Sequence, residues 1–163
     1  MVQGPSAGRD SEAVGRFVER FALTLSDSGW PRMPARAFVG LLVADGGRRT
    51  AAELADLLRV SPAAISGAVR YLTQVGLVAR EREPGQRRDR YRISDDLWYQ
   101  AIADRDKLLA RWEQDLLDGI EAVGEDTPAG ARLDETRRFF AFVRGELPQM
   151  MEKWRQLRAA PPG

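Results

Sequence analysis

Two short helix signatures follow one another closely near the middle of the chain, and they constrain its fold more than any other feature. Thr50 followed by Glu53 matches a capping box, and Ser61 followed by Pro62 supplies a second N-cap with proline in the first turn. Apolar residues recur at three- and four-residue spacing in both segments, as they do in half-buried helices. Two short helices joined by a tight turn are typical of a helix-turn-helix.

The segments on either side of this pair complete the pattern of a winged helix-turn-helix. A further helix is predicted before the pair, at Ala35–Asp45. Two extended runs follow the pair, at Leu77–Glu83 and Arg88–Ile93. The residues between them, Pro84–Arg87, predict a hairpin turn. This order of elements predicts a mainly α fold with a small β-hairpin wing, and we expect the winged DNA-binding domain at residues 32–93.

Long amphipathic helices are predicted on both sides of the winged unit. An N-terminal dimerisation helix is expected at residues 11–31, after a flexible arm at residues 1–10. A C-terminal helical dimerisation region is expected at residues 94–163, where Pro148 should kink or break the final helix. The apolar stripes of these helices exceed what a small winged unit can cover, so we expect a homodimer with two-fold symmetry.

The 163 residues contain no cysteine and no histidine, which excludes several kinds of functional site. Their absence excludes disulfides and thiolate metal sites, and it removes the most frequent general base. The acidic pairs Asp95/Asp96 and Asp104/Asp106 are interpreted as a helix cap and a solvated face, so we expect no enzyme, metal or cofactor. No apolar stretch approaches the roughly 20 residues that span a bilayer, and the first residues lack a signal-peptide core. A cytoplasmic protein without a membrane partner is therefore expected.

The formal net charge of +1 conceals a strongly uneven distribution of charge. Residues 32–93 carry twelve basic and six acidic groups, whereas residues 94–163 carry ten basic and fourteen acidic groups. The basic middle segment therefore predicts a binding surface for a polyanion. Six of its arginines lie between Arg80 and Arg92, a concentration that favours double-stranded DNA as the partner over a protein docked on the wing.

The second helix of the pair is predicted to read the major groove. Its apolar stripe, Ile65, Val69 and Leu72, faces the core, so the opposite face is available to DNA. That face is small near the N-terminus, where backbone amides and hydroxyls can approach phosphates and bases. The arginines of the hairpin suit the minor groove and its phosphates. The DNA-binding residues expected are Thr50, Ser61, Ala63, Ala64, Ser66, Arg70, Arg87, Arg88 and Arg90.

The motif Ala52–Arg80, which ends Leu72-Thr-Gln-Val-Gly-Leu-Val-Ala-Arg, resembles the recognition helix and first wing strand of the MarR family of bacterial regulators. The stretch Gly29–Arg36 ahead of Phe38 is similar to the subgroup of glycine-betaine and choline regulators. The resemblance covers about residues 11–120 and implies an obligate dimer that binds a near-palindromic operator and is often tuned by a small ligand. The wing departs from the family pattern, since Gly85–Arg90 lacks the usual acid-rich lead-in.

An effector pocket is expected where the dimerisation helices meet the winged unit. Aromatic walls there suit an apolar or quaternary-ammonium ligand, whereas the nearby arginines, which include Arg36, suit a carboxylate. The expected pocket residues are Phe17, Phe21, Trp30, Arg32 and Trp98. Two alternatives stay open: the aromatic residues are plain core, or the protein is a winged-helix interaction module without sequence-specific DNA binding.

Overall fold

The structure, a computed structural model, describes residues 11–82, 84–85 and 87–160, and it is mostly helical. The arm predicted at residues 1–10 lies outside the described residues. Within the described ranges no helix is long and apolar enough to cross a membrane. The elements in chain order are α1 (Ser11–Asp27), α2 (Arg32–Leu42), β1 (Arg48–Thr50), α3 (Ala51–Leu58), α4 (Pro62–Gln74), β2 (Val78–Glu81), β3 (Arg90–Ile93), α5 (Leu97–Val123) and α6 (Pro128–Ala159).

The chain divides into two compact units, of which the first ends at Leu97 and the second begins at Trp98. The first unit is a winged helix-turn-helix preceded by α1, which confirms the predicted fold class. Its core is built from one apolar face of each helix. The largest fully buried side chains are Val18, Val39, Leu41, Leu54, Ile65 and Leu72.

Helices α2 and α3 approach one another closely at Gly40. A Cβ atom placed there would lie 3.1 Å from a methyl carbon of Leu54 and 3.4 Å from one of Leu57. Glycine therefore lets the backbone of α2 lie directly on the leucine side chains of α3. This contact fixes α3 against α2 within the first unit.

The wing belongs to a three-stranded antiparallel sheet in the order β1-β3-β2. The hairpin of β2 and β3 was predicted, but β1 was not, and it pairs Arg49 with Tyr91. The strands of the hairpin are shorter than predicted, because the described residues between Glu81 and Arg90 form turns and bends. Tyr91 and Ile93, which lie on the same face of β3, pack against the core.

The bounds of α2 differ from the predicted Ala35–Asp45. The helix begins at Arg32 and ends at Leu42, so both ends lie three residues earlier. Pro34 is compatible with this start, because the N–H groups of the first turn have no partner within the helix.

In the second unit, α6 continues through Pro148, so of the two outcomes predicted there, a kink or a break, the break was wrong. Leu147, directly before the proline, and Met151, three residues after it, are both buried. One turn earlier, Arg144 donates hydrogen bonds to Asp106 at 3.0 Å and to Glu113 at 2.9 Å, both on α5. These contacts on both sides of the proline stabilise the helical backbone and offset the hydrogen bond that proline cannot donate.

Candidate nucleic-acid interface

Helix α4 has one buried face and one face that is open to solvent. The buried face consists of Ile65, Ala68, Val69 and Leu72, as the predicted stripe required. Among the residues expected to touch DNA, the structure leaves Ser61, Ala63, Ser66 and Arg70 exposed and Ala64 half-buried. The exposed face therefore presents hydroxyls and one guanidinium. No other helix or strand of the first unit covers these groups in the described residues.

The N-terminus of α4 is built as the sequence predicted. The hydroxyl of Ser61 accepts a hydrogen bond from the Ala64 N–H at 3.3 Å, and Pro62 occupies the first helical position. The positive end of the helix dipole and the remaining N–H groups thus point out of the unit at this end. Such an end suits a phosphate of the DNA backbone.

Gly67 lies on the exposed face of α4, where packing does not require glycine. A Cβ atom placed there would meet nothing within 4 Å among the described atoms. Glycine in a helix interior costs about 0.5–1 kcal/mol relative to alanine. A bare backbone at this position is therefore unexplained by the fold, and it leaves room for the close approach of a groove wall.

The arginines of the wing fall into two groups. Arg80 forms an ion pair with Asp89, which also lies 3.8 Å from Arg82. Arg92 donates to Glu81 at 2.5 Å and to Asp95 at 2.7 Å. The positive charge of these side chains is therefore largely neutralised within the sheet.

The second group is the pair at the tip of the wing, Arg87 and Arg88. Both side chains are exposed, and neither has an ion pair with any residue that the structure describes. They line an open cavity of about 480 Å³ together with Thr50, Glu53 and Asp56. The tip of the wing thus presents two exposed arginines that have no ion pair among the described residues, although the carboxylates of Glu53 and Asp56 line the same cavity.

A second cavity, of about 400 Å³, lies between α4 and the wing. Arg70 contributes from the helix, and Arg80 and Tyr91 contribute from the sheet. A groove between a helix and a hairpin can accommodate a phosphate backbone, and Arg70 supplies the unpaired positive charge in it, since Arg80 is paired with Asp89.

Two further expected residues serve the fold locally. The hydroxyl of Thr50 accepts from the Glu53 N–H at 3.2 Å, and the carboxylate of Glu53 accepts from the Thr50 N–H at 2.6 Å. This backbone hydrogen bond is the main reason that the pKa of Glu53 lies below its usual value. Arg90 is half-buried in the central strand and pairs in register with Thr50 and Glu81. Thr50 and Arg90 are both half-buried, whereas Arg87 and Arg88 at the tip of the wing are exposed.

The residues expected in an effector pocket are distributed over both units. In the first unit Phe17 and Phe21 stack on α1 with ring centroids 5.8 Å apart, and Trp30 packs on Phe38 at 5.2 Å. Arg32 is exposed at the start of α2, and Trp98 belongs to the second unit and is exposed. The packing of Trp30 on a buried core residue favours a structural role for that side chain.

Arg36 has a structural role that the sequence analysis missed when it considered this residue for ligand binding. Its guanidinium donates to both carboxylate oxygens of Glu19, with its Nε 2.9 Å and 3.0 Å from them. It also donates to the backbone carbonyl of Leu58 at 2.8 Å. The residue therefore joins α1, α2 and the end of α3. No spacing rule could identify it, because its partners lie 17 and 22 residues away.

Two family models match the chain. One is described as MarR family and matches residues 31–89, and the other is described as MmpR5-like MarR family transcriptional regulator and matches residues 96–157. The HTH-type transcriptional regulator MmpR5 of Mycobacterium tuberculosis is 31% identical over 146 residues, which cover 88% of this chain and 87% of that protein. A crystal structure of a transcriptional regulator matches with a TM-score of 0.72 and 26% identity, over 88% of this chain and 99% of that chain. These matches give no support to the glycine-betaine and choline subgroup expected from Gly29–Arg36.

Proposed function

This chain belongs to the MarR family of transcriptional regulators, a family of DNA-binding proteins rather than enzymes, and we propose that it represses transcription by binding a near-palindromic operator as a homodimer. In this proposal α4 enters the major groove, and the tip of the wing contacts the minor groove and its phosphates. The observation that carries the proposal is the open face of α4, together with two exposed arginines at the tip of the wing that have no ion pair with a described residue.

The homodimer is supported by apolar side chains that the chain itself leaves exposed. On α6, Phe139 is 59% exposed, Phe142 is 64% exposed and Leu157 is 70% exposed. On α1, Leu23 is 57% exposed. Large apolar side chains in such numbers mark protein interfaces, and an interface between two copies of one chain is usually two-fold symmetric.

Selection of bound fragments from genomic DNA, followed by footprinting, tests the proposal. We expect protected sites with inverted symmetry, whose half-sites lie roughly 10 base pairs apart, because two recognition helices enter successive major grooves. Sedimentation should give a dimer at micromolar concentration. A stable monomer, or footprints without inverted symmetry, would contradict the proposed assembly, and binding without any sequence preference would favour the interaction module.

The tip of the wing should supply attraction that is independent of base sequence. Replacing Arg87 or Arg88 with alanine should weaken binding to all duplexes by a similar factor. Each replacement should also reduce the slope of log affinity against log salt by about two per dimer, because one phosphate contact is lost from each protomer. Titrations of operator and random duplexes at several salt concentrations measure both effects.

Arg82 provides the matched control for the wing-tip variants, because it lies on the same wing but near Asp89. Its replacement by alanine should change the salt slope less than replacement of a tip arginine. Equal slopes for Arg82→Ala, Arg87→Ala and the unchanged protein would show that the tip does not bind phosphates.

Control by a small ligand stays a prediction. The residues that carry it are those of the sequence analysis, Phe17, Phe21, Trp30, Arg32 and Trp98. Of these, the stacked pair Phe17 and Phe21 offers aromatic surface on α1, where Phe17 is 39% exposed. A ligand acts as an effector only if it binds the DNA-competent and DNA-incompetent arrangements with different affinity.

A further inference from the structure

The turn between α3 and α4 contains a residue with an unusual backbone conformation. Arg59 has φ 53 and ψ 50, in the left-handed region. In the part of the chain that the structure describes, it is the one residue other than glycine with a positive φ. Left-handed backbone is unfavourable for residues with a Cβ atom, so the presence of arginine here needs a reason.

The geometry of the turn does not supply that reason. The N–H of Arg59 is hydrogen-bonded to carbonyls of the last turn of α3, and the Val60 N–H donates to the Ala55 carbonyl at 3.0 Å. This is the usual way in which a helix ends on a left-handed residue, and glycine is the residue that adopts it at the lowest cost. The fold would therefore be served equally well or better by glycine at this position.

Side-chain contacts do not supply the reason either. The Arg59 side chain is exposed, and no hydrogen bond or ion pair joins it to any residue in the described ranges. The C-terminal end of the α3 dipole attracts a cation, but this attraction is smaller than the usual cost of a left-handed residue with a side chain. The guanidinium is thus free to bind a partner outside the chain.

The position of Arg59 indicates which partner this is. It lies two residues before Ser61, the N-cap of α4, and therefore at the end of the helix that we place in the major groove. The phosphate backbones border that groove, and the N-terminus of α4 itself favours an anion. We propose that Arg59 binds a backbone phosphate at the entry of α4 into the groove. This inference rests on the proposed function.

The variant Arg59→Gly separates a phosphate contact from a structural role, because the two roles predict opposite outcomes. The melting temperature should stay the same or rise, since glycine relieves the left-handed conformation. Affinity should fall by a similar factor for operator and random duplexes, and the salt slope should decrease by about two per dimer. The loss of affinity between about 50 and 200 mM salt should therefore be about tenfold smaller than for the unchanged protein.

Two further variants serve as controls. Arg59→Lys keeps the charge in the same conformation and should retain most of the salt slope. Arg20→Ala removes one exposed positive charge from α1, where Arg20 has no ion pair with a described residue, and should leave the slope unchanged. A slope for Arg59→Lys as low as that of Arg59→Gly would overturn the phosphate contact, and so would a lower melting temperature for Arg59→Gly.

The outcomes also separate this inference from the proposed function. If the unchanged protein binds its operator and Arg59→Gly binds with the same affinity and salt slope, the role of Arg59 is wrong and the proposed function stands. If the unchanged protein binds no duplex at all, the proposed function fails and the role of Arg59 fails with it.

Discussion

Replacement of Arg70 by alanine should abolish most of the preference for the operator while the protein stays folded. Arg70 is exposed on the open face of α4, one turn after Ser66, and has no ion pair with a residue in the described part of the chain. A guanidinium that makes two hydrogen bonds to a guanine contributes roughly 1–3 kcal/mol of discrimination per half-site. Over two half-sites this corresponds to a loss of operator affinity between about 30-fold and 10⁴-fold.

The specificity of this loss distinguishes base reading from general attraction. Arg70→Ala should lose much more affinity for the operator than for random duplex, and selection of fragments should return a motif that is relaxed at one base pair in each half-site. Arg70→Lys should lose operator preference in the same way, because an ammonium cannot make the two parallel hydrogen bonds that a guanidinium makes to one base. Arg87→Ala should keep the selected motif. If Arg70→Ala and the unchanged protein select the same motif, Arg70 does not read a base.

Replacement of Arg36 by alanine should destabilise the first unit by about 2–3 kcal/mol, because several hydrogen bonds of a charged group are lost together. The Arg36 side chain is only 15% exposed, and its loss leaves the Leu58 carbonyl at the end of α3 without this donor. Glu19 is 48% exposed, so water compensates its carboxylate in part. The melting temperature should fall by roughly 5–10 °C for a chain of this size.

Arg32 is the control for this experiment, since it is an exposed arginine on the same helix. Arg32→Ala should change the free energy of unfolding by less than about 0.5 kcal/mol. Both variants need to be melted at one protomer concentration, because dimerisation makes the melting temperature depend on concentration. If Arg36→Ala and the unchanged protein had the same free energy of unfolding, the contacts with Glu19 and Leu58 would make no net contribution to stability.

The Arg36 contacts join distant parts of the first unit. They connect α1, which is expected to take part in the dimer, to the end of α3, which directly precedes Arg59 and α4.

Features that depend only on neighbouring residues could be predicted without tertiary information. The caps at Thr50 and Ser61 satisfy N–H groups three residues away, so they could be recognised without any tertiary information. The buried stripe of α4 follows from helical periodicity in the same way. Together these local signals were sufficient for the fold class and for the open face of the recognition helix.

Tertiary structure alone decided the features that depend on distant partners. Strand β1 has only three residues, two of them arginine, and exists because its backbone pairs with β3, 40 to 44 positions further along the chain. Pro148 is accommodated because the residues around it are buried or bound to α5, which overrides its local preference. Neither outcome can be derived from a window of neighbouring residues.

The arginines show the same division most clearly. In the sequence the six arginines of the wing differ only in position, and Arg36 looks as available to a ligand as Arg32. In the structure Asp89 pairs with Arg80, Glu81 pairs with Arg92 and Glu19 binds Arg36, whereas the arginines at the tip of the wing have no ion pair with a described residue. Local sequence specifies which groups are charged, but the folded chain decides which charges have partners, because an ion pair requires two groups within about 4 Å.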